Sequence, residues 1–248
     1  MYIRNLKVFV SLNNCFIKRF MKKLFIVASL CSFILFSCKG GEKAEENNQQ
    51  PASGQQAEPE KKQPELAFNP DSLGTEPQFD IVTTMGTIRV KLYEDTPKHK
   101  KNFIRLASIK YYDGITFHRV IRNFMIQTGD PYTRDYPDRA DVFGTGGPGY
   151  TIPAEIRGED GKPLHLHKKG ALAAARKGDR ANPEKASSGS QFYIVHSADA
   201  CKQLDGDYTV FGETVSGLDV VDKIASVATG AKDRPTTDIK IISVLPVK

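Results

Sequence analysis

The feature that most restricts the fold of this chain is a series of short β runs separated by turn residues in its C-terminal part. The first two runs meet at a Met85-Gly86 turn, and Ile88, Val90 and Leu92 alternate onto one face of the second run. Similar runs recur at residues 115–121, 124–130, 170–178, 190–197, 207–215 and 238–247. Many short strands with turns between them predict a mostly β domain, either a barrel or a sandwich.

Two segments among these runs have helical character instead. Thr96-Pro97 is a capping residue followed by proline at the first helical position, and Phe103 and Leu106 continue with helical spacing. The second segment, residues 217–227, carries apolar residues at a helical period. We therefore expect two α-helices within the β domain.

The N-terminal segment has the pattern of an export signal. Met21-Lys22-Lys23 is a short positive region, and a largely apolar run of 13 residues, 24–36, follows it. A membrane-spanning helix needs about 20 such residues, so this run is too short to be one. We expect residues 21–37 to be a signal peptide and residues 1–20 to be an upstream extension from a misplaced start.

The end of the apolar run, Leu35-Phe36-Ser37-Cys38, resembles a bacterial lipobox. In that motif the cysteine is lipidated and becomes the new N-terminus, although a small residue usually stands where this chain has Phe36. An uncleaved anchor or a cleaved, unlipidated signal would be the alternatives. We expect a lipid on Cys38 to attach the protein to a membrane in the envelope of a Gram-negative-type bacterium, with the domain outside the cytoplasm.

The net charge of +6 does not indicate a nucleic-acid partner. Residues 1–37 hold six of the 35 basic residues and none of the 29 acidic ones, so the rest of the chain is formally neutral. Residues 38–76 are rich in Glu, Gln, Lys and Pro, a composition that cannot bury enough apolar surface to fold. We expect a disordered tether there, either a plain spacer or a partner-binding segment, and a folded domain over residues 77–248.

Three sequence blocks in the predicted domain resemble a known family. They are 117–121 with 124–130 (FHRVI and FMIQTGD), 189–194 (GSQFYI), and 204–206 leading to 210–212 (LDG and VFG). In this order they resemble the signature blocks of the cyclophilins, which are peptidyl-prolyl cis–trans isomerases. The resemblance implies a closed eight-stranded antiparallel β-barrel capped by two α-helices.

The reaction of that family requires little chemistry from side chains. Rotation about an X–Pro bond has a barrier of about 18–20 kcal/mol because amide resonance resists twisting, and no bond is broken. A catalyst needs a donor that favours the twisted amide and a pocket for the proline ring, but no cofactor and no metal. By resemblance Arg119 is that donor, and its rigid, permanently charged fork suits the task.

The resemblance also implies a set of substrate-binding residues. Phe124, Met125, Tyr193 and Leu204 match the proline pocket, although by pattern alone each could be plain core. The matching polar, groove-wall and rim positions are Gln127, Gln191, Ala175 and Tyr208. Four residues depart from common family choices: Gln203, Tyr208, Tyr193 and Arg176. His118 lies beside Arg119 and should face the other way in a strand, so we interpret it as structural.

Two other motifs are rejected on their context. Residues 144–149 fit G-x-G-x-x-G, but the following segment ends in Pro153 and cannot open a phosphate-binding helix. His165 and His167 lack an evident third ligand, so we interpret them as solvated histidines and expect no metal site.

The sequence therefore predicts an envelope-anchored, monomeric prolyl isomerase of the cyclophilin type. Its expected partners are proline-containing exported polypeptides and, through Cys38, a membrane. A binding module that holds proline segments without turnover is the alternative from another class. A purely structural lipoprotein is disfavoured, because a scaffold needs no arginine beside a proline pocket.

Overall fold

The computed structural model describes residues 65–247. The predicted signal peptide, Cys38 and most of the predicted tether lie outside the described residues. The described strands are β1 (Gln78–Thr83), β2 (Gly86–Leu92), β3 (Arg119–Ile121), β4 (Met125–Thr128), β5 (Thr151–Ile152), β6 (Ala171–Ala174), β7 (Ser187–Ser188), β8 (Phe192–Val195), β9 (Val210–Ser216) and β10 (Ile241–Pro246). The helices are α1 (Pro97–Ser108), α2 (Tyr132–Asp135), α3 (Ala198–Cys201) and α4 (Leu218–Ala225), with 3₁₀ turns at Pro70–Ser72, Lys202–Leu204 and Ala231–Asp233.

Eight of the strands form one antiparallel sheet, in the order β10-β1-β2-β9-β6-β8-β4-β3, and β5 pairs with β7 separately. The predicted hairpin is confirmed, with Phe79 opposite Val90 and Thr83 opposite Gly86. Two of the sequence blocks that carry the family resemblance are adjacent in the sheet, on β3 and β4 and on β8, and the third runs into β9, which is separated from β8 by β6.

The sheet differs from the predicted closed barrel, because β10 and β3 are its two edges. The chain before β3 does reach β10: the Phe117 N–H donates to the Ile239 carbonyl at 2.9 Å, and Thr116 bridges Lys240. This contact is an isolated bridge and not a ladder between the two edge strands. The prediction of a closed barrel is therefore wrong. The contact to the β10 side is made by residues 116 and 117, and the three-residue β3 begins only at Arg119 and does not pair with β10.

Both predicted helices are confirmed, and two one-turn helices were not predicted. α1 begins with Pro97 at its first position, after Thr96. α4 follows Gly217, whose φ of +86° and close approach to the Thr87 carbonyl, 2.3 Å from an added Cβ, exclude a side chain. Among the helices between residues 65 and 247, none has the length and apolar character needed to cross a bilayer.

The folded domain begins before the predicted boundary at residue 77. The Phe68 ring lies 5.8 Å from that of Phe79, and Leu73 packs against the same core. The Ala67 N–H also donates to the Ser108 carbonyl at 2.7 Å. The segment just before residue 77 therefore packs on the domain, because it carries apolar side chains that the Glu- and Gln-rich stretch lacks.

The main core lies between the sheet and the two long helices, and Phe103 of α1 is central to it. Its ring is 1% exposed and stands 5.6 Å from that of Phe79, 5.8 Å from that of Phe192 and 5.3 Å from that of Tyr112. These tilted and edge-on geometries are the favourable ones for aromatic pairs. The cluster fixes α1 against β1 and β8, two strands that are far apart in the sequence.

We expect Phe103→Ala to lower the free energy of unfolding by about 3–5 kcal/mol, because it removes a fully buried ring and leaves a cavity. Ile242→Ala, at a position that is 55% exposed on β10, is the control and should cost about 1 kcal/mol or less. Urea denaturation followed by circular dichroism measures both. A similar loss for the two variants would show that Phe103 does not organise the core.

Three histidines, His99, His118 and His167, are buried, although His167 was predicted to be solvated. His118 is 6% exposed and His167 is 2% exposed. Burial lowers the pKa of His118 from 6.5 to about 4, and burial also lowers the pKa of His167. The prediction for His167 is wrong because its ring is packed beneath a tyrosine, as described below. The imidazoles of His118 and His167 are neutral in the folded domain at neutral pH.

The lowered pKa of His118 predicts a loss of stability in acid. Between about pH 6.5 and 4 the unfolded chain binds a proton at His118 that the folded chain does not, so stability is complete above that window and falls as the pH falls through it. His118→Gln should flatten this fall by on the order of 1–3 kcal/mol between pH 7 and pH 4.5. Denaturation curves at the two pH values test this. If the stability of the variant depended on pH as steeply as that of the wild type, the pKa of His118 would not be lowered by folding.

Candidate active site

A cleft of about 630 Å³ lies at β3, β4 and β8 and is walled by two loops, residues 140–144 and 231–234. It collects eight of the nine residues that the sequence places in a proline-binding site. These are Arg119, Phe124, Met125, Gln127, Ala175, Tyr193, Leu204 and Tyr208. The ninth, Gln191, is 6% exposed and lies behind Gln127, in the wall of a neighbouring cleft.

Arg119 stands at the start of β3, opposite Gln127 of β4. Its side chain is 43% exposed, and its Nε donates to Asp233 Oδ2 at 3.4 Å. His118 also lines the cleft, so the expectation that it faces away from Arg119 is wrong. The reason is that residue 118 precedes β3, where strand alternation does not yet apply. A charged donor thus reaches the cleft from one side.

The floor of the cleft is apolar and tightly packed. Met125 is 2% exposed and Tyr193 is 4% exposed, and both belong to a hydrophobic cluster beneath the cleft. Phe124, Leu204 and Tyr208 pack against this cluster from the rim. An aromatic and thioether floor of this kind fits a small apolar ring.

A buried hydrogen-bonded chain supports the tyrosine in the floor. The Tyr193 hydroxyl is 2.9 Å from His167 Nε2, and His167 Nδ1 is 2.8 Å from Asp205 Oδ1. Burial raises the pKa of Tyr193 well above its usual value, so the hydroxyl donates and the neutral imidazole accepts at Nε2. The Nδ1–H then donates to Asp205. The sequence analysis did not predict this series of hydrogen bonds. The one available signal was that Tyr193 replaces the common phenylalanine, because a tyrosine hydroxyl needs a partner when it is buried.

Two glutamines link the cleft to the glycine-rich loop at residues 144–149. Gln127 Nε2 donates to Gln191 Oε1 at 3.1 Å, and Gln191 Nε2 donates to the Gly146 carbonyl at 2.8 Å. The Asp130 carboxylate accepts from the Gly144 and Gly146 N–H groups. A Cβ on Gly146 would lie 2.1 Å from Asp130 Oδ1, which is why glycine is needed there. The amides of Gly144 and Gly146 are therefore occupied by a side chain of the protein itself.

Arg176, one of the departures from the family pattern, contacts the rim of the cleft at Asp207 and Tyr208. Its Nε donates to the Asp207 carbonyl at 2.8 Å, and its guanidinium lies 4.3 Å from the centre of the Tyr208 ring. This geometry is that of a cation–π contact. Gln203, another departure, is exposed on the 3₁₀ turn and does not line the cleft.

The remaining wall comes from residues that sequence reasoning did not single out. The Arg234 guanidinium lies 4.6 Å from the centre of the Phe143 ring, which joins the two loops that wall the cleft. Asp141, Lys232 and Asp233 add charges beside them. No spacing or motif marks these residues, because the two loops are far apart in the chain.

The site can hold an apolar ring beside a fixed cation, and it contains no arrangement for breaking a bond. Within residues 65–247 there is no group of three or more His, Cys, Asp or Glu side chains that could hold a metal ion. Cys201 is buried, and burial raises the pKa of its thiol to about 11, so it is not a nucleophile at neutral pH.

Comparison with known proteins agrees with this geometry. The family model described as "Cyclophilin type peptidyl-prolyl cis-trans isomerase/CLD" matches residues 78–245. The human peptidyl-prolyl cis-trans isomerase-like 1 is 37% identical over 182 residues, which cover 73% of this chain and 98% of that protein. The peptidyl-prolyl cis-trans isomerase-like 2 of Rhizopus delemar is 41% identical over 167 residues, or 65% of this chain and 27% of that longer protein.

The fold is also similar to solved structures. A crystal structure of a cyclophilin type peptidyl-prolyl cis-trans isomerase from Cryptosporidium parvum matches with a TM-score of 0.59 and 28% identity, covering 70% of this chain and 98% of that one. A second structure of that protein, determined in the presence of the dipeptide Ala-Pro, matches with a TM-score of 0.58. The chain described here therefore belongs to the cyclophilin family, and it is a peptidyl-prolyl cis–trans isomerase.

Proposed function

We propose that this isomerase acts on X–Pro bonds of polypeptides that lie in the 630 Å³ cleft, with Arg119 as the catalytic residue. The observation that carries the proposal is the half-exposed guanidinium beside the apolar floor of Met125 and Tyr193. A proline ring held on that floor would bring the neighbouring amide within reach of the arginine. The use of the dipeptide Ala-Pro with the Cryptosporidium parvum relative supports a proline-containing ligand.

The guanidinium would act by favouring the twisted amide. In the planar amide the nitrogen lone pair is delocalised into the carbonyl, and in the twisted form that pair is localised on nitrogen. A donor directed at the prolyl nitrogen or at the carbonyl oxygen stabilises charge that is differently placed in the transition state, which is what raises kcat. Arginine suits this role because it stays charged and offers several donors in one plane.

We also propose that the clients are exported proteins and that the enzyme is lipid-anchored in the envelope of a Gram-negative-type bacterium. The support is the 24–36 apolar run that ends at Cys38 and the polar stretch that follows it. A flexible polar segment behind a lipid would hold the domain away from the membrane surface. Such a placement gives the active site access to chains that fold outside the cytoplasm.

Arg119→Ala should lower kcat/KM for a short X–Pro peptide by at least about tenfold, which is ~1.4 kcal/mol of barrier. The loss follows from removal of the donor, and circular dichroism should show an unchanged fold because the side chain is 43% exposed. Arg122→Ala, at an exposed neighbouring position, is the matched control and should retain full activity. NMR exchange spectroscopy on the peptide measures the rates. Equal activity of wild type and Arg119→Ala would instead favour the binding-module interpretation.

Cys38→Ser should abolish lipid labelling and release the protein from the membrane fraction. One acyl chain holds a protein only marginally, so the several chains of a bacterial lipoprotein are expected to retain the wild type firmly. Cys201→Ser, which alters a buried thiol in the domain, is the control and should not change retention. Fractionation with metabolic lipid labelling tests both variants. Equal retention of Cys38→Ser and wild type would show that something other than this lipid holds the protein.

A further inference from the structure

The cleft contains a carboxylate, that of Asp233, which accepts a hydrogen bond from the proposed catalytic arginine. Asp233 Oδ2 lies 3.4 Å from Arg119 Nε, and the two residues are 114 positions apart in the chain. Both side chains are partly solvent-exposed, 43% for Arg119 and 46% for Asp233. We infer that Asp233 is a positioning residue that orients the Arg119 guanidinium for isomerisation, an assignment that rests on the catalytic role proposed for Arg119.

The geometry of the pair explains how this would work. Arg119 has three nitrogens, and Asp233 accepts from Nε, the one nearest the backbone. Because the contact is at Nε, it does not use either terminal nitrogen of the guanidinium. An arginine without such a partner would sample many rotamers, and ordering a long side chain costs conformational entropy. A fixed fork presents its donors at one place.

The neighbouring glutamine does not perform this task in the described structure. Gln127 faces Arg119 across β3 and β4, but its amide group donates to Gln191. Gln191 in turn donates to the Gly146 carbonyl, so both amides are committed to the wall of the cleft. The hydrogen-bond partner that the described structure gives the Arg119 side chain is Asp233.

The loop that carries Asp233 is held in an unfavourable conformation that points it at the cleft. Lys232 and Asp233 have φ values of +58° and +59°, in the left-handed region that residues other than glycine rarely adopt. The loop is closed by a hydrogen bond from the Gly230 N–H to the Arg234 carbonyl at 2.7 Å. Arg234 is fixed by the Phe143 ring and by Asp238 at 3.2 Å. Strained residues persist where their surroundings hold them, and such positions cluster at functional sites.

The opposite role would be competition, in which Asp233 occupies a donor that the substrate needs. Contact at Nε argues against this, because the two terminal nitrogens, which lie farther from the backbone, are not used by that contact. The two roles predict opposite signs. Loss of a positioning carboxylate lowers kcat, whereas loss of a competitor raises kcat/KM.

The test uses two substitutions at the same position in the full chain. Asp233→Gly removes the acceptor and tolerates the positive φ, so it changes the contact without adding strain. It should lower kcat about three- to fivefold with little change in KM, the scale expected for one half-exposed ion pair. Asp233→Asn also tolerates the left-handed conformation and keeps an oxygen acceptor, so it should recover part of the lost rate. Rates and KM values from NMR exchange on one X–Pro peptide give the comparison.

Two further variants make the result specific. Asp238→Asn is the matched control for loop charge, because Asp238 is a similarly exposed partner of Arg234 on the same loop and asparagine keeps an oxygen that accepts from Arg234. Its kcat should match that of wild type. In an Arg119→Ala background, Asp233→Gly should have no additional effect, since there is no guanidinium left to orient.

The outcomes separate this inference from the role of Arg119 itself. If Arg119→Ala is inactive while Asp233→Gly equals or exceeds wild type, Asp233 does not position the arginine and only this inference fails. An equal loss in Asp238→Asn would overturn it as well, by assigning the effect to the charge of the loop as a whole. If Arg119→Ala keeps full activity, the proposed catalytic role fails first.

Discussion

Alternation of side chains along β4, β6 and β8 is the constraint on which the rest of this structure depends. Ile126, Leu172 and Ile194 face the main core, while Met125, Ala173 and Tyr193 face the cluster under the cleft. The strands are paired so that these two sets stay in register, with Leu172 opposite Ile194 and Ala173 opposite Tyr193. A shift by one residue would exchange the sets and bury the cleft side chains in the core. Fold and active site are thus specified by the same three strands.

Polar groups at the edge of the cleft hold its wall in place, as strand alternation determines its floor. Buried amides and carboxylates are costly unless they are paired, at about 1–3 kcal/mol for each group left unsatisfied. Gln127, Gln191 and Asp130 meet this requirement together by binding one another or the backbone at residues 144–146. The consequence is a loop that is fixed to the sheet without a regular strand or helix. The wall of the cleft is therefore as well determined as its floor.

Sequence reasoning succeeded where a local pattern determines the structure. The hairpin at Met85-Gly86, the two long helices and the β4 and β8 segments all follow from periodicity and capping that neighbouring residues supply. It failed where the answer depends on residues far apart in the chain. Strand alternation could not show whether β3 would pair with β10, and nothing near His167 announced a tyrosine 26 positions later as its partner. Asp233 escaped notice for the same reason.

The rate acceleration in the proposed mechanism can be divided between the arginine and the apolar cleft. A hydrogen bond to a charged group contributes about 1.5–3 kcal/mol, so in the proposed mechanism a single guanidinium donor would account for roughly a 10- to 150-fold acceleration. Further acceleration has to come from the cleft. The planar amide is the more polar form, because resonance separates charge between nitrogen and oxygen, and it therefore loses more than the twisted form on leaving water for an apolar floor. Met125 and Tyr193 supply that floor, and Arg119 stands at its edge with its side chain 43% exposed. A deeper arginine would carry a larger desolvation cost, and a more exposed one would be screened by solvent, so the half-exposed position at the start of β3 suits the catalytic role proposed for Arg119.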